Sequence, residues 1–365
     1  MNGARTNITR RWLGPVFSLV ATLGLAAPAV ADAPWYPFPV EVWDPPFKAD
    51  SPRTQQNYVP LEKAAKKWRI CVSIPHLKDA YWMAANFGIA SEAKRLGVTM
   101  QLREAGGYDH QPVQIEQIRK CVADGADGVI VSAIKYDGVN DLVAELQAKK
   151  IPVIDMINGM SSDKISAKSV AAFYDVGYQA GRYIGKRHNK AGRKIRVAWF
   201  PGPKDAGWVK VGDAGFRAAL KGTNIEIVAT RYGDTGKSTQ GKLVEEVLKQ
   251  DKNLDYIVGT SVTAEAAIKL VRKHGFSKRT KIVAYYFSPG VFRGIKRGKI
   301  LGAPTDSPAI QGRIALDQMV RILERKPYLK HVGPKILVFD QQNIDNFDQS
   351  TTLPPRGFRA TFDVN

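Results

Sequence analysis

Apolar and polar positions alternate along the chain in two patterns from Trp68 onward. Short apolar runs, typical of strands buried in a parallel sheet, are followed by longer segments whose apolar residues recur with the helical period. In the first half, the predicted strands are RICVSI, VTMQLRE, GVIVSAI, IPVIDMI and KSVAAF. The helices predicted between these strands cover residues 80–96, 112–124 and 139–149.

The same alternation resumes after residue 173. The predicted strands are IRVAWF, IEIVATRY, LDYIVGT, KIVAYYF, KILGAP and KILVFD. The predicted helices cover residues 177–188, 210–220, 238–250, 264–274, 290–296 and 308–324. Repeated strand–helix units predict parallel sheets with helices on both faces. The strands are too many for one ordinary sheet, so we predict an α/β fold of two similar doubly wound lobes. In such lobes ligands bind beyond the carboxyl ends of the strands.

The N-terminus has the composition of a targeting segment. Residues 1–31 contain three arginines, an apolar run at 13–27 and the small-residue sequence AVA, which predicts a secretory signal peptide cleaved after Ala31. The pattern is typical of Sec export to the periplasm, and the pair Arg10 and Arg11 also matches the twin-arginine route. No other run is long and apolar enough to cross a bilayer, so the mature form is predicted to have no transmembrane span.

Residues 32–67 form an arm rich in proline and aromatic residues, beginning APWYPFPVEVWDPPF after Asp32. The arm has neither a helical nor a strand period. We expect it to lie against the body of the protein rather than to form a domain.

The formal net charge is +20. Such an excess usually indicates nucleic-acid binding, but export removes that partner, and no helix-turn-helix or zinc-finger pattern is present. The densest basic run covers residues 181–196. It is either a solvated helix face or a docking surface for anionic lipid or an acidic partner protein, and both interpretations stay open.

The chain has two cysteines, Cys71 in the first predicted strand and Cys121 in the second predicted helix. Two cysteines exclude a fold held together by a disulfide framework. If the order of the first sheet begins 2-1-3, the second helix crosses the first strand and brings the thiols within reach. In an oxidising compartment a disulfide is then the preferred interpretation, with two buried free thiols as the alternative.

Motifs that would indicate catalysis or a metal are incomplete. RYGDTGKST lacks the first glycine of a phosphate-binding loop, because Arg231 takes its place. GTSVT, which contains Thr260, resembles a nucleophile elbow but ends in Thr263 instead of glycine. The five histidines show no metal-ligand spacing, and there is no Cys/His cluster. We therefore predict no enzyme activity, no cofactor and no metal.

Aromatic residues recur instead at the carboxyl ends of the predicted strands. They are Tyr81, Trp82, Tyr108, Phe173, Tyr174, Trp208, Tyr285, Tyr286 and Phe287. Asp79, Asp155 and Asp306 occur in the same loops. Strand-end loops are usually exposed, so aromatic residues repeated there indicate a binding site more than a core. Rings with acids nearby are the surroundings that hold a methylated ammonium group, each ring contributing roughly 0.5–2 kcal/mol.

Several stretches resemble the type I periplasmic binding proteins of the ribose-binding class, and within them the branch that senses trimethylamine N-oxide. They are LKDAYW, REAGGYD, QIEQIRKCVADGADGVI, GYQAGRY, PGPKDAG, GTSVTAEAA, FRGIKRGKI and LPPRGFR. The resemblance implies a ligand cleft between two lobes, capture of trimethylamine N-oxide or a related methylated amine, and a membrane sensor histidine kinase as partner. Cys71 and Cys121 match cysteines of this branch, which favours the disulfide.

The resemblance also assigns residues. By motif position, Tyr81, Trp82 and Tyr108 contact the ligand. Phe173 stands where the family has tryptophan, and Trp208 stands where glycine is expected. The predicted ligand set is Asp79, Tyr81, Trp82, Tyr108, Phe173, Tyr286 and Asp306, with Asp155, Trp208 and Thr260 as further candidates. The rings would receive the methyl groups, the Tyr286 hydroxyl would donate to the oxygen, and the acids would complement the positive methyl face.

The family fold implies that the chain crosses between the lobes three times. The predicted crossings are near residues 172–174, at Asp306 and near residues 333–335. The predicted domains are residues 68–172 plus 306–334 for the N-terminal lobe, 173–305 plus 335–350 for the C-terminal lobe, and 351–365 for a C-terminal tail. Ligand binding would favour one arrangement of the lobes, which the kinase would detect.

Two alternatives stay open. A substrate-binding protein of an importer for a sugar or another small solute would use Asp155, Asn158 and Asp306 to bind hydroxyl groups. An enzyme on the same fold would need a positioned nucleophile and base, and the sequence shows no such pair.

Overall fold

The computed structural model describes residues 1–4, 34–188 and 192–365. Most of the predicted signal peptide and residues 189–191 of the basic run lie outside these ranges. The chain divides into two compact units, Met1–Pro34 and Trp35–Asn365, and the second contains all the elements described below.

The predicted elements occur in the predicted order. The strands are β1 (Phe38–Trp43), β2 (Arg53–Tyr58), β3 (Arg69–Ile74), β4 (Thr99–Glu104), β5 (Gly128–Val131), β6 (Val153–Met156), β7 (Ala167–Ser169), β8 (Ile195–Gly202), β9 (Ile225–Tyr232), β10 (Tyr256–Gly259), β11 (Lys281–Ala284), β12 (Gly302–Thr305), β13 (His331–Pro334), β14 (Leu337–Asp340) and β15 (Asp363–Val364). The helices are α1 (Ala80–Leu96), α2 (Gln111–Ala123), α3 (Asn140–Ala148), α4 (Phe173–His188), α5 (Gly207–Leu220), α6 (Lys237–Gln250), α7 (Ser261–Lys273), α8 (Pro289–Lys296) and α9 (Pro308–Leu323). The structure adds strands β1, β2, β13 and β15 to the predicted elements.

The larger sheet has nine strands in the order β15-β4-β3-β5-β6-β7-β13-β1-β2. Strands β3 to β7 and β13 are parallel, and the central strands β3 and β5 are buried on both faces, which explains their nearly continuous apolar runs. Helices α1 and α9 pack together on this sheet. Gly88 lies at their crossing, where a Cβ would overlap the backbone of Ala309, so the close approach requires glycine.

The smaller sheet has four parallel strands in the order β11-β10-β8-β9. The antiparallel pair β12 and β14 lies next to β11. Helices α4 and α5 pack closely because Gly177 of α4 faces the backbone of Gly212 of α5, with no room for a Cβ. The predicted fold class, two doubly wound parallel-sheet lobes, is confirmed.

Three segments connect the two sheets at the places predicted for hinges. They are the links between β7 and α4, between β12 and α9, and between β13 and β14. The C-terminal tail makes a further connection. After short 3₁₀ turns at Ile344–Asn346 and Gln349–Thr351, the chain returns to the larger sheet, where β15 pairs with β4. On these strand orders we propose the predicted lobe boundaries, with β1, β2 and β15 added to the N-terminal lobe.

The prediction that residues 32–67 contain no strand is wrong. Strands β1 and β2 form a hairpin that extends the larger sheet beyond β13. Val40 and Tyr58 of this hairpin are buried with residues of α9 and β13. The pattern was missed because β2 is polar and exposed along most of its length, which an edge strand tolerates.

Cys71 of β3 and Cys121 of α2 form a disulfide, with the sulfur atoms 2.13 Å apart. The order β4-β3-β5 places α2 against β3, as the predicted order 2-1-3 requires. The alternative of two free thiols is therefore wrong.

Candidate ligand-binding site

The site begins where β3 ends. Asp79 caps helix α1, because its Oδ1 accepts a hydrogen bond from the backbone N of Trp82 at 3.1 Å. The cap fixes the first turn of the helix at the carboxyl end of the sheet. Tyr81 and Trp82 lie in that turn, and both side chains are buried.

A small cavity lies between the two lobes, and the space free of protein atoms in and around it, open solvent included, is about 250 Å³. Its lining is dominated by the rings of Tyr81, Trp82, Tyr108, Phe173, Trp208 and Tyr286. Ile157, Asn158 and Thr235 complete the lining, and no residue that lines it is charged. Because both lobes supply residues, the cavity is complete only when the lobes are closed.

Hydrogen bonds fix two of the rings across the lobes. The indole Nε1 of Trp208 donates to the Tyr108 hydroxyl at 3.2 Å, and that hydroxyl donates to Asn158 Oδ1 at 3.3 Å. The Asn158 Nδ2 donates in turn to the Ala133 carbonyl at 2.8 Å. The ring of Trp208 belongs to α5 and Tyr108 follows β4, so this chain of hydrogen bonds links the two lobes through the cavity wall.

The remaining rings meet edge to face. The ring centroids of Tyr81 and Tyr286 are 5.0 Å apart, and those of Trp208 and Tyr286 are 5.7 Å apart. Tyr285 does not line the cavity but supports it from behind, with its ring stacked on Trp208 at 5.8 Å and its hydroxyl donating to the Trp208 carbonyl at 3.2 Å. In this closed arrangement the packed rings fix one another's orientations.

Asp306 supports the cavity without lining it. Its Oδ2 accepts hydrogen bonds from the Tyr81 hydroxyl and from Gln311 Nε2, the latter at 3.1 Å. Its Oδ1 has no hydrogen-bond partner among the described residues. Burial raises the pKa of Asp306 to about 6, although the Tyr81 hydrogen bond opposes that shift.

Burial disfavours the charged forms of the other ionisable groups around the cavity. Burial raises the pKa of Asp79, and it raises the pKa of Tyr81 and Tyr286 well above the usual value, so both hydroxyls remain donors. Burial lowers the pKa of His76, whose Nε2 lies 2.9 Å from the Thr235 Oγ1. A neutral His76 leaves the cavity without a competing cation.

The structure adds two lining residues that the sequence did not indicate. Thr235 belongs to GDTGKST, the loop after β9 that resembles an incomplete phosphate-binding motif. Ile157 follows β6 with a backbone φ of +65°, an unfavourable conformation for a β-branched residue. Strained residues of this kind cluster at ligand sites, but sequence periodicity carries no sign of them.

Four predicted contacts do not line the cavity: Asp79 caps α1, Asp306 holds Tyr81 from behind, and Asp155 and Thr260 lie elsewhere. Asp155 is buried away from the cavity, 3.2 Å from Lys168 Nζ, and it accepts a hydrogen bond from the Met160 backbone N at 2.9 Å. Thr260 caps helix α7, where its Oγ1 accepts from the Thr263 backbone N at 3.1 Å. Both side chains stabilise local structure, and we remove both from the candidate ligand set.

Residues 34–188 and 192–365 contain neither a cluster for a metal ion nor a helix that could span a membrane. In these ranges no group of three or more His, Cys, Asp and Glu side chains is placed to hold a metal ion. Within the same ranges no helix combines the length and apolar character of a membrane span.

Residues 70–327 match the family model described as periplasmic binding protein domain. The chain belongs to the periplasmic binding proteins. This family binds solutes and does not catalyse reactions. The aromatic cavity of this periplasmic binding protein lies in the interlobe cleft, which is where solute-binding sites of two-lobed α/β proteins are expected.

This periplasmic binding protein is similar to one family member in particular, both in sequence and in solved structures. It is 33% identical over 309 residues to the periplasmic protein TorT of Escherichia coli K12, covering 85% of this chain and 88% of that protein. Two crystal structures of a TorS sensor domain–TorT complex, one without ligand and one with trimethylamine N-oxide, match with TM-scores of 0.73 at 33% identity, covering 81% of this chain and 100% of theirs. The predicted resemblance to this branch is confirmed.

Another relative has a different description. An ABC transporter solute-binding protein from Bradyrhizobium sp. BTAi1, solved with bound bis-tris, is 52% identical, with a TM-score of 0.79. The match covers 91% of this chain and 100% of that protein. The two groups of relatives agree on the fold and on solute binding, and they differ in the role that their descriptions give.

Proposed function

We propose that this protein is a periplasmic sensor that binds trimethylamine N-oxide, or a closely related small methylated amine, and reports its presence to a membrane sensor histidine kinase. The observation that carries the proposal is the cavity wall, in which six aromatic rings and no charged side chain converge between the lobes. The export signal predicted at residues 1–31 and the periplasmic relatives support this location.

The rings suit the methyl face of an amine oxide. Methyl groups on a positively polarised nitrogen are attracted to the faces of aromatic rings, and the attraction increases where water is excluded. A sugar would instead need several polar side chains to satisfy its hydroxyl groups. The lining offers few of these, because the Asn158 amide already bonds to Tyr108 and Ala133, and the Thr235 hydroxyl lies within hydrogen-bond distance of His76.

The oxygen of the ligand needs a donor. We assign this role to the Tyr286 hydroxyl, which lines the cavity and stays protonated because burial raises its pKa. Asp306 holds Tyr81 from behind through its hydroxyl. An acid in this position complements the positive end of the ligand dipole without occupying the cavity.

Contacts outside the cavity couple ligand binding to closure of the lobes. Lys78 Nζ lies 3.1 Å from Asp234 Oδ2, and the Tyr136 backbone N donates to the Asp205 carbonyl at 2.9 Å. Each contact joins a loop of the larger sheet to a loop of the smaller one. A ligand that bridges the rings of both lobes stabilises this closed arrangement, and the kinase would detect it.

An importer component is the second candidate, and one observation favours it. The relative at 52% identity is described as an ABC transporter solute-binding protein and carries bis-tris, an amine with several hydroxyl groups. The same cavity could therefore serve uptake of a hydroxylated amine. In this chain Asp155, which a sugar site was expected to use, is paired with Lys168 outside the cavity.

Calorimetric titration distinguishes the sensor function from the importer function. The protein beginning at Asp32 is titrated with trimethylamine N-oxide, glycine betaine, ribose and bis-tris in a phosphate buffer, because bis-tris buffer would compete. Saturable binding of trimethylamine N-oxide without ribose or bis-tris binding is the expected result. Tighter binding of bis-tris or ribose would transfer the assignment to the importer function.

Tyr286→Phe tests the assigned donor while keeping the ring. A hydrogen bond to a charged or strongly polarised oxygen contributes about 1.5–3 kcal/mol, so affinity should fall by about tenfold or more. Tyr178→Phe, which removes an exposed hydroxyl on α4, is the matched control and should bind normally. Equal affinity of Tyr286→Phe and the unmodified protein would reject the donor assignment.

A further inference from the structure

Most of the net positive charge of the protein lies in the C-terminal lobe. Residues 173–305 and 335–350 contain 27 Lys and Arg against 13 Asp and Glu, whereas residues 68–172 and 306–334 contain 17 against 15. The ligand cavity does not account for this difference, because no charged side chain lines it.

The topology gathers this charge at one end of the C-terminal lobe. Strands β8 to β11 are parallel and point their carboxyl ends toward the cavity, so helices α4 to α8 return the chain to the opposite end. We call the last turns of these helices and the loops after them, apart from residues 189–191, the basic pole. The cations in those last turns are Lys186, Arg187, Arg217, Lys249, Arg272, Lys273, Arg293 and Lys296.

Hydrogen bonds join the loops of the basic pole into one surface. Asn224, before β9, donates through Nδ2 to the carbonyl of Arg193, before β8, at 2.7 Å. The Arg193 guanidinium binds the carboxylate of Asp255, before β10, at 2.8 Å. The backbone N of Lys281, which begins β11, donates to the Asp255 carbonyl at 2.8 Å. The loops after α4, α5, α6 and α7 are therefore neighbours.

Part of this charge is neutralised locally. Ion pairs on the pole or next to it hold Arg187, Arg193, Arg196, Arg217, Lys249, Lys273 and Lys296. By contrast, Lys194, Lys278, Lys281 and Lys299 are exposed and have no ion-pair partner within the part of the chain that the structure describes. Exposed unpaired cations at neighbouring loops repel one another, which an anionic surface would relieve.

The chemistry of the pole favours a lipid surface over a protein. Protein interfaces are anchored by aromatic and apolar side chains that become buried. The exposed large apolar side chains of the described chain, among them Tyr136, Tyr174 and Val211, lie away from the basic pole. Lysines spread over successive helix ends, without an apolar anchor and without a cavity, match a diffuse layer of anionic headgroups.

We propose that the basic pole of the C-terminal lobe docks this protein on anionic phospholipid at the membrane surface, with the ligand cleft directed away from the bilayer. The attraction is electrostatic and reversible, because no segment of the pole is apolar enough to insert. It does not depend on which solute the cavity binds.

Vesicle flotation tests the proposal with the protein beginning at Asp32. The vesicles contain either phosphatidylethanolamine with phosphatidylglycerol or phosphatidylcholine alone, at about 0.15 M salt and at higher salt, where exposed charges are screened. The pole variant carries Lys194→Gln, Lys278→Gln, Lys281→Gln and Lys299→Gln. The control variant has the same change of net charge on the other lobe, through Lys94→Gln, Lys135→Gln, Lys164→Gln and Lys330→Gln.

We expect flotation with the anionic vesicles only, loss at high salt, and a fall of more than about tenfold in vesicle affinity for the pole variant. The control variant should bind like the unmodified protein. No binding to anionic vesicles at about 0.15 M salt would overturn the proposal, as would equal losses in the two variants. Binding of the pole to the kinase sensor domain without vesicle binding would also overturn it and assign the surface to an acidic protein.

Discussion

The two lobes are built from the same strand–helix alternation, yet the chain reinforces only one of them. The N-terminal lobe receives the β1–β2 hairpin at one edge and β15 at the other, and the disulfide joins Cys71 to Cys121 inside it. The C-terminal lobe has a four-stranded sheet, an added strand pair and most of the net charge.

This difference suggests that the two lobes have different roles in ligand binding. The reinforced lobe supplies Tyr81, Trp82 and Tyr108 from elements that the sheet and helix α1 hold in place. The other lobe supplies Trp208 and Tyr286, and it must move to open the cavity. We regard the N-terminal lobe as the frame and the C-terminal lobe as the part whose position reports the ligand.

The largest expected effect concerns the reinforcement itself. Cys71→Ala with Cys121→Ala removes a crosslink that closes a loop of 50 residues, which in the chain-entropy model is worth about 4 kcal/mol of unfolding free energy. Urea unfolding should show this loss, and reduction of the unmodified protein should reproduce it. If the double variant unfolds at the same urea concentration, the disulfide does not reinforce the frame.

The next effect concerns Asp306, at a crossing between the lobes. Its pKa is raised to about 6 in the folded protein, so the folded state binds the proton more tightly than the unfolded chain. Stability should therefore fall as pH rises from about 4 through 6, by about 3 kcal/mol for a shift of this size. Asp306→Asn keeps an acceptor for Tyr81 and should remove this contribution, leaving the smaller slope from Asp79, Glu92 and Asp155, whose pKa values burial also raises.

Thermal unfolding from pH 4 to 7 measures the slope. Asp317→Asn is not a suitable control, because Asp317 pairs with Arg321. Asp137→Asn, an exposed loop substitution, should leave the profile of the unmodified protein unchanged. Parallel profiles for Asp306→Asn and the unmodified protein would contradict the assignment of the proton to Asp306.

The third effect compares one ring from each lobe. Trp82→Leu and Trp208→Leu each remove one aromatic face from the cavity, and each should weaken trimethylamine N-oxide binding by up to about 30-fold. Tyr178→Leu removes an exposed ring of α4 outside the cavity and should bind normally. A loss confined to Trp82→Leu would mean that the C-terminal lobe does not contact the ligand, and the closure account would fail.

The smallest effect concerns closure alone. Arg53 of the hairpin lies 2.6 Å from Asp175 of α4, so this ion pair joins the arm to the other lobe. Surface ion pairs contribute at most about 1 kcal/mol, and Arg53→Met should lower ligand affinity by less than about fivefold. Arg119→Met breaks a comparable pair with Glu145 inside the N-terminal lobe and should leave affinity unchanged in the same titration.

Much of the fold was predictable from the sequence because buried parallel strands and amphipathic helices have distinct periods. The strand RICVSI and the helix Ala80–Leu96 were predicted to the residue. Strands β1, β2, β13 and β15 were missed, because they are short or polar and gain their stability from pairing with distant segments. Pairing of that kind leaves no local pattern.

The candidate site was predictable to the extent that strand ends share one edge of a sheet. That rule brought Tyr81, Tyr108, Trp208 and Tyr286 together, although they are far apart in the sequence. It also drew in Asp155, whose partner Lys168 lies on the neighbouring strand β7. A sequence does not reveal which strand-end acid is already neutralised, because that depends on the register between strands.

The most direct test of the central claim uses the methyl protons of trimethylamine N-oxide as the probe. Saturation-transfer NMR with selective irradiation of the aromatic protons should transfer saturation to the methyl resonance. The transfer should disappear in the Trp82→Leu, Trp208→Leu double variant and should not be affected by ribose. Transfer that is absent in the unmodified protein, or undiminished in the double variant, would contradict the account of a methylated amine held by this cavity.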